Sequence, residues 1–105
     1  MQSKIYISGP ITGVEGYYEK FRRAEKELQK MGFVVINPAA VNGELPAETS
    51  YEEYMRMSFV MLDMADSIYM LDGWQNSTGA NREYGYALAK DKTIMFERRQ
   101  SNGAD

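Results

Sequence analysis

The sequence predicts an α/β protein built on a parallel sheet. Short apolar runs alternate along the chain with segments of helical periodicity about ten to seventeen residues long. Glycine, proline or asparagine follows most of the apolar runs. Helical connections of that length join neighbouring parallel strands by right-handed crossovers. We therefore expect a single-domain, flavodoxin-like (doubly wound) parallel sheet of about four to five strands with helices on both faces.

Four apolar runs mark the predicted strands. "KIYISG" and "FVVINP" are the first two, and the second is of the continuous kind found in strands covered on both faces. "SIYMLD" and "KTIMFE" are the third and fourth. At the carboxyl edge of such a sheet three loops follow the first three strands, "SGPITG", "NPAAVNG" and "DGWQNSTG". Ligands bind at this edge in doubly wound folds.

Three amphipathic segments mark the predicted helices. "YYEKFRRAEKELQKMGF" has apolar residues at helical spacing and ends at Gly32. Residues 42–50 are loop-like, and Ser50 with Glu53 fits a capping box that opens a helix over 51–65. "GANREYGYALAKD" is the third helix.

The length of 105 residues suits one compact domain, predicted over residues 1–97, with residues 98–105 as a polar tail. The N-terminus lacks the pattern of a signal peptide, and no apolar run reaches the ~20 residues of a membrane span. We expect a cytoplasmic protein without a membrane partner.

The composition limits the available chemistry. The chain has no cysteine and no histidine, which leaves carboxylates, hydroxyls, amides, Lys and Arg. The formal net charge of −3 does not suit a nucleic-acid polymer, which is bound through basic patches. A small ligand is the expected partner.

The predicted helix over 51–65 has a wide apolar surface. Met57, Val60 and Met64 widen the apolar stripe of this helix. The helix therefore resembles one that is covered on two sides. Two interpretations stay open: a methionine-rich core, or packing against a second copy of the chain. We expect a homo-oligomer, a dimer or a larger even-numbered assembly.

Glu83 is placed where a buried side chain is expected. Positions 80, 83, 84, 87 and 88 recur on the face of the third helix that must pack on the sheet. Ala80 cannot complete a capping box with Glu83, and no Lys or Arg stands three or four residues away on the helix. A dipole-satisfying glutamate and a functional carboxylate both stay open, although buried unpaired carboxylates cluster at active sites.

The loops at the carboxyl edge offer groups for binding an anion. Ser77, Thr78 and Gly79 place hydroxyls and free N–H groups at a helix start, although Ser or Thr there is most often only an N-cap. The first loop is neither a Walker loop nor a complete GxGxxG, so its signal is weak alone. Its candidate contacts are Ser8, Gly9, Pro10 and Gly13.

Together, "YISGPITG", "NPA", "ADSIYMLDGW" and "STGANREYGYA" resemble the nucleoside 2-deoxyribosyltransferase-like superfamily, and most closely its DUF4406 branch. The resemblance covers about residues 4–96. It implies that Glu83 attacks the anomeric carbon of a nucleoside, and that Tyr6 orients this glutamate. It also implies that the loop after the third strand holds the sugar, with Asp72, Gly73 and Trp74 as candidates, and that relatives complete their sites with a neighbour's residues. No metal or organic cofactor is implied.

Two positions depart from the transferases of this superfamily. Ser77 stands where the transferases carry Asp. Related nucleotide N-hydrolases also have Ser at this position, and they hold a 5′-phosphate there. The transferases also tend to carry an acidic residue, thought to assist the leaving base, near the position of Ser58, where this chain has serine. We also expect the N-terminus of the third helix to keep Glu83 ionised.

The sequence therefore predicts an enzyme that cleaves or transfers the N-glycosidic bond of a nucleoside or nucleoside 5′-monophosphate through a glycosyl-enzyme intermediate. The alternative is a non-catalytic nucleotide-binding or sensing module on the same fold.

Overall fold

Four parallel strands form the sheet of the computed structural model, which describes residues 3–98. They are β1 (Lys4–Ser8), β2 (Val34–Ile36), β3 (Ser67–Met70) and β4 (Thr93–Phe96). Their spatial order is β2-β1-β3-β4. The chain therefore moves outward from β1 to β2, crosses back to β3 and continues to β4 on the other side. The predicted flavodoxin-like class is confirmed.

Helices cover both faces of the sheet. They are α1 (Tyr17–Lys30), α2 (Pro38–Asn42), α3 (Tyr51–Asp63) and α4 (Thr78–Ala89), and a 3₁₀ turn spans Trp74–Asn76. The apolar cluster with α1 and α2 lies on one face, and the cluster with α3 and α4 lies on the other. Each face of the sheet thus has its own small core.

The pleat of β1 divides its side chains between these two cores. Ile5 and Ile7 belong to the cluster on the α1 face, whereas Tyr6 belongs to the cluster on the α3 and α4 face. Alternate residues of a strand point to the same face, so Ser8 shares the side of Tyr6. Two hydroxyl groups of β1 therefore face α4.

The short helix α2 begins where the sequence predicts only a loop. The side-chain oxygen of Asn37 accepts a hydrogen bond from the N–H of Ala39 at 3.0 Å, and Pro38 occupies the first helical position. Asparagine as N-cap and proline at this position are both favourable, because neither leaves a needed helical hydrogen bond unmade. The same two residues are also typical of the end of a strand, which is what the sequence predicts at this point.

The prediction that the second strand is covered on both faces is wrong. β2 is an edge strand, and Val34 is 40% exposed. The predicted inner face of α4 is right for Ala80, Glu83 and Ala87, which are buried, but Leu88 is 50% exposed. Only one row of α4 side chains packs closely on the sheet, so a residue at the edge of the apolar stripe stays exposed.

The predicted capping box of α3 is confirmed. The Ser50 hydroxyl accepts from the N–H of Glu53 at 3.1 Å, and the Glu53 carboxylate accepts from the N–H of Ser50 at 2.8 Å. The helix ends at Asp63, two residues before the predicted end at Ala65.

The two apolar sides of α3 differ in their packing. The inner residues are buried against the sheet and α4: Met55, Ser58, Met61 and Leu62. The other side, Met57, Val60 and Met64, is exposed, with Val60 59% accessible. The homo-oligomer through this helix stays a prediction, and the exposed side gives it a surface.

The predicted tail lies almost wholly in residues 99–105, outside the described residues. None of the helices in residues 3–98 is long and apolar enough to cross a bilayer.

Gly9 allows β1 and β3 to end close together. A Cβ atom built at Gly9 would lie 2.9 Å from both Cβ and Cδ1 of Leu71. We expect Gly9→Ala to lower the free energy of unfolding by about 1–3 kcal/mol, because overpacking displaces the chain. The matched control is Gly85→Ala on α4, where nothing lies within 4 Å of the added Cβ. We expect it to stabilise the protein by about 0.5–1 kcal/mol. Urea unfolding of both variants measures the difference, and equal effects would contradict the close approach.

Candidate active site

Three side chains from two elements form a buried hydrogen-bonded group. The Tyr6 hydroxyl donates to Oε2 of Glu83 at 2.6 Å, and the Ser8 hydroxyl donates to Oε1 at 2.5 Å. Their exposed fractions are 0% for Tyr6, 1% for Ser8 and 7% for Glu83. Each carboxylate oxygen therefore has a donor inside the protein, and the side chain is held in one orientation.

The local sequence explains why these groups meet. Tyr6 and Ser8 share one face of β1, and Glu83 lies between the buried Ala80 and Ala87 on the row of α4 that packs on the sheet. The two small alanines allow the helix to approach β1 closely enough for a glutamate to reach the hydroxyls. The carboxylate lies beside the end of β1, at the ligand-binding edge of the sheet.

Burial raises the pKa of Glu83, and it is the largest influence on this carboxyl group. The hydroxyls of Ser8, Tyr6 and Ser58 act in the opposite direction, because donors stabilise the ionised form. The prediction that the helix N-terminus keeps Glu83 ionised is not supported. Glu83 lies in the second turn of α4, beyond the first turn where the dipole acts, and the stabilising groups are hydroxyls.

The same burial raises the pKa of the Tyr6 phenol well above its ordinary value, and the charge of Glu83 adds to this effect. Tyr6 therefore keeps its proton and acts as a permanent donor to the carboxylate.

A cavity of about 260 Å³ opens over Glu83. Its tyrosines come from α1 and α3, and they are Tyr17, Tyr51 and Tyr54. The other polar groups of its wall are Thr12, Asn42, Ser58 and Ser77. The remaining wall is Gly9, Ile11, Met55, Gly79 and Ala80. The cavity is near the lower limit of small-molecule sites, and a buried carboxylate forms part of its wall.

Two wall residues have distinct hydrogen-bonding states. The Ser77 hydroxyl accepts from the N–H of Ala80 at 3.1 Å, so it is the N-cap of α4, and its own proton stays free to be donated. The side-chain oxygen of Asn42 is buried and has no partner among residues 3–98. This amide is a polar group of the wall that the fold does not use.

The structure brings only some of the sequence-predicted residues into this cavity. Gly9, Ser77, Gly79 and Glu83 line it, and Tyr6 and Ser8 support Glu83 from behind. Ser8 thus donates a hydrogen bond to the carboxylate of Glu83, whereas the sequence predicts that it contacts the substrate.

Besides Ser8, six predicted substrate contacts lie outside the cavity wall. Pro10 and Asp72 line a second depression on the α1 side, and Trp74 packs on Tyr84 with ring centroids 4.7 Å apart. Three further residues are also absent from the wall, and they are Gly13, Gly73 and Thr78. Gly13 and Gly73 have positive φ angles, so their glycines are explained by the turns they form. The spacing of residues along a loop does not indicate which face of the sheet that loop covers.

Several wall residues were not predicted as site residues. The sequence predicts no role for Tyr51 and Tyr54 beyond the apolar surface of the helix over 51–65, and it predicts none for Tyr17 or Asn42. A signal for the tyrosines is present in the sequence, since Tyr17 and Tyr51 begin helices and Tyr54 lies one turn into the second of them, near the carboxyl edge of the sheet. Within residues 3–98 no group of three or more His, Cys, Asp or Glu side chains could hold a metal ion.

Comparison with known proteins places this arrangement in a family. The family model described as "Domain of unknown function (DUF4406)" matches residues 3–96. The chain belongs to the DUF4406 family. The resemblance predicted from the motifs is thus confirmed at this level. No curated protein matches the sequence.

A solved structure shares the fold of this DUF4406 protein. It is a 2-deoxyribosyltransferase from the psychrotolerant bacterium Bacillus psychrosaccharolyticus, with 21% sequence identity and a TM-score of 0.72. The similarity covers 93% of this chain and 77% of the transferase. At this identity the likeness shows a common fold.

The raised pKa of Glu83 predicts a pH-dependent stability. The folded protein holds the proton of Glu83 more tightly than the unfolded chain, so this contribution to stability is complete below the ordinary glutamate pKa of 4.5. It is lost as the pH rises through the folded-state pKa. We expect Glu83→Gln, which does not titrate, to gain stability relative to the parent over this pH range, with a slope of at most about 1.4 kcal/mol per pH unit.

Urea unfolding at a series of pH values measures this difference. Glu83→Met is the matched control, because it also lacks the titrating group and should differ from Glu83→Gln only by a constant. A parent that gains stability relative to both variants as the pH rises would show that hydrogen bonding outweighs burial.

Proposed function

We propose that this protein cleaves or transfers the N-glycosidic bond of a nucleoside or nucleoside 5′-monophosphate, with Glu83 as the nucleophile. The observation that carries the proposal is the carboxylate of Glu83, which is fixed by Tyr6 and Ser8 and forms part of the wall of a ligand-sized cavity. A carboxylate held in this way suits attack on an anomeric carbon, whose substitution passes through an oxocarbenium-like transition state.

The reaction has two steps. An oxygen of Glu83 forms a bond to the anomeric carbon while the C–N bond breaks and its electron pair goes to the base. Water or a second base then attacks the same carbon, and the electron pair of the ester bond returns to Glu83. Tyr6 and Ser8 hold the carboxylate through both steps, and they stabilise the charge that returns to it in the second.

The comparison supports the class of reaction. The solved structure with the same fold is named as a 2-deoxyribosyltransferase, an enzyme that transfers a sugar. The resemblance assigns the roles of nucleophile and orienting residue to Glu83 and Tyr6, and the Tyr6 hydroxyl donates to the Glu83 carboxylate at 2.6 Å. Within the same proposal, Asn42 and the hydroxyls of the wall contact the sugar.

The first functional prediction concerns Glu83 and its donors. We expect Glu83→Gln to lower base release by at least about 10³-fold, because the covalent route is lost. Tyr6→Phe and Ser8→Ala should each lower kcat/KM by about 10- to 100-fold, since each removes a charge-assisted hydrogen bond. Chromatography of free base from a panel of nucleosides and monophosphates measures the rates.

Tyr69→Phe is the matched control for Tyr6→Phe, because it removes a tyrosine hydroxyl on the opposite face of the sheet. It should leave the rate within about twofold. Full activity of Glu83→Gln would refute the nucleophile. A parent that binds nucleotides, is stabilised by them and never releases base would instead be the sensing module.

The second functional prediction is that monophosphates bind better than the corresponding nucleosides. Ser77 has a free hydroxyl proton at the wall, and the first N–H groups of α4 have no partner within the helix. One charge-assisted hydrogen bond is worth roughly 1.5–3 kcal/mol, so we expect a preference of about tenfold or more.

Calorimetry with matched pairs, on Glu83→Gln so that no turnover interferes, measures this preference. Adding Ser77→Asp should remove it, because aspartate keeps the N-cap acceptor and adds a charge that repels phosphate. Equal affinities would mean that Ser77 is only a helix cap.

A further inference from the structure

The wall of the Glu83 cavity contains one carboxyl group and several much weaker acids. Glu83 is the carboxylate, and the other groups that carry an exchangeable proton are hydroxyls and one amide. Tyr17, Tyr51 and Tyr54 supply aromatic surface to the same space. Among residues 3–98, this wall thus combines one buried carboxyl group with three tyrosine rings.

Such a wall favours a positively charged ring. Aromatic faces attract cations through the ring quadrupole, and a buried carboxylate attracts them more strongly. One cation, Arg82, lies beside this wall, and its guanidinium is 5.6 Å from the centre of the Tyr51 ring. It is paired with Glu52 at 3.0 Å, so its charge is balanced on the outside of the wall.

Ser58 occupies a decisive place in the same wall. It is buried on α3, lines the cavity and faces both Glu83 and Tyr6 closely enough to affect the pKa of each. A carboxylic acid at such a position could give its proton to a departing base, whereas a serine hydroxyl is too weak an acid for that task near neutral pH. Loss of a general acid typically costs about 10²- to 10⁴-fold in rate.

An uncharged purine or pyrimidine leaves as an anion unless it receives a proton. A base that is positively charged in the glycoside leaves as a neutral molecule, and it needs no acid. A base that departs without receiving a proton and a carboxylate in the cavity wall thus both favour a substrate whose base is positively charged.

We propose that the preferred substrates are N-glycosides of cationic heteroaromatic bases, such as N-ribosyl pyridinium compounds or N7-alkylated purine nucleosides and their monophosphates. This inference rests on the proposed function and names its substrate class.

The reaction is balanced without a general acid. Glu83 forms a bond to the anomeric carbon, the C–N bond breaks, and its electron pair neutralises the ring nitrogen as the base departs. Water then attacks the anomeric carbon, the ester electron pair returns to Glu83, and one proton of the water goes to solvent. The cationic glycoside and water thus give the free sugar, the neutral base and a proton.

The experiment compares an uncharged glycoside with its N7-methylated, cationic form and with a pyridinium glycoside. The parent is given guanosine, 7-methylguanosine and nicotinamide riboside, each also as its 5′-monophosphate, and Glu83→Gln is the inactive control. Uncatalysed rates are measured in parallel, because the cationic compounds are also less stable in water. We expect the catalysed rate, divided by the uncatalysed rate, to be at least about tenfold greater for 7-methylguanosine than for guanosine.

The pH profile and one gain-of-function variant test the reason. For nicotinamide riboside, whose pyridinium charge does not titrate, kcat/KM should rise with pH as Glu83 ionises and then stay level, with no alkaline fall from a general acid. Ser58→Asp should raise the rate on guanosine by about tenfold or more and have a smaller effect on 7-methylguanosine. If this variant does not fold, the substrate ratio and the pH profile of the parent decide alone.

The possible failures can be told apart. Efficient cleavage of guanosine with an alkaline limb in the profile would overturn this inference and leave the proposed function standing. A normalised rate that is equal for the two guanosines would do the same. Release of base from none of the compounds would count against both proposals.

Discussion

The buried carboxylate of Glu83 is the constraint on which the rest of this structure depends. Placing an ionisable group in a small core is unfavourable unless donors meet it, and here Tyr6 and Ser8 meet both of its oxygens. These bonds join the first strand to the last helix, which are far apart in the chain. A change in the register of β1 by one residue would turn both hydroxyls to the other face, so the carboxylate also fixes how β1 pairs with its neighbours.

The cavity follows from the same arrangement. α4 approaches β1 closely through Ala80 and Ala87, while α3 is held at the side by its larger residues, among them Met55 and Met61. Space is therefore left at the carboxyl edge of the sheet, between the first turns of the helices. Helix starts supply N–H groups without a partner in the helix, and the loops meet at this edge, so the fold itself makes the rim of the cavity polar. The charge of the cavity depends on the side chains of this particular chain.

The fold was predictable because it depends on repeated patterns. Strand and helix periodicities gave the parallel sheet, and the cap at Ser50 gave the start of α3. The site was harder. Glu83 was visible as a polar residue on an apolar face, but the role of Ser8 needed the alternation along β1 to be combined with the facing helix. Asp72 and Trp74 were misplaced relative to the cavity because loops after neighbouring strands can turn to either face, and sequence spacing carries little information about that choice.

Burial also links the charge of Glu83, the proposed nucleophile, to the ligand. Two opposing influences act on the pKa of Glu83, the lost hydration that raises it and the hydroxyls that lower it. A neutral ligand would remove more water from the carboxylate and so favour its protonated, unreactive form. A cationic ring in the same place would supply an opposite charge at short range, lower the pKa and favour the ionised nucleophile. With such a substrate, binding itself would activate the group that attacks, and part of the cost of burying Glu83 would be offset only when the site is occupied.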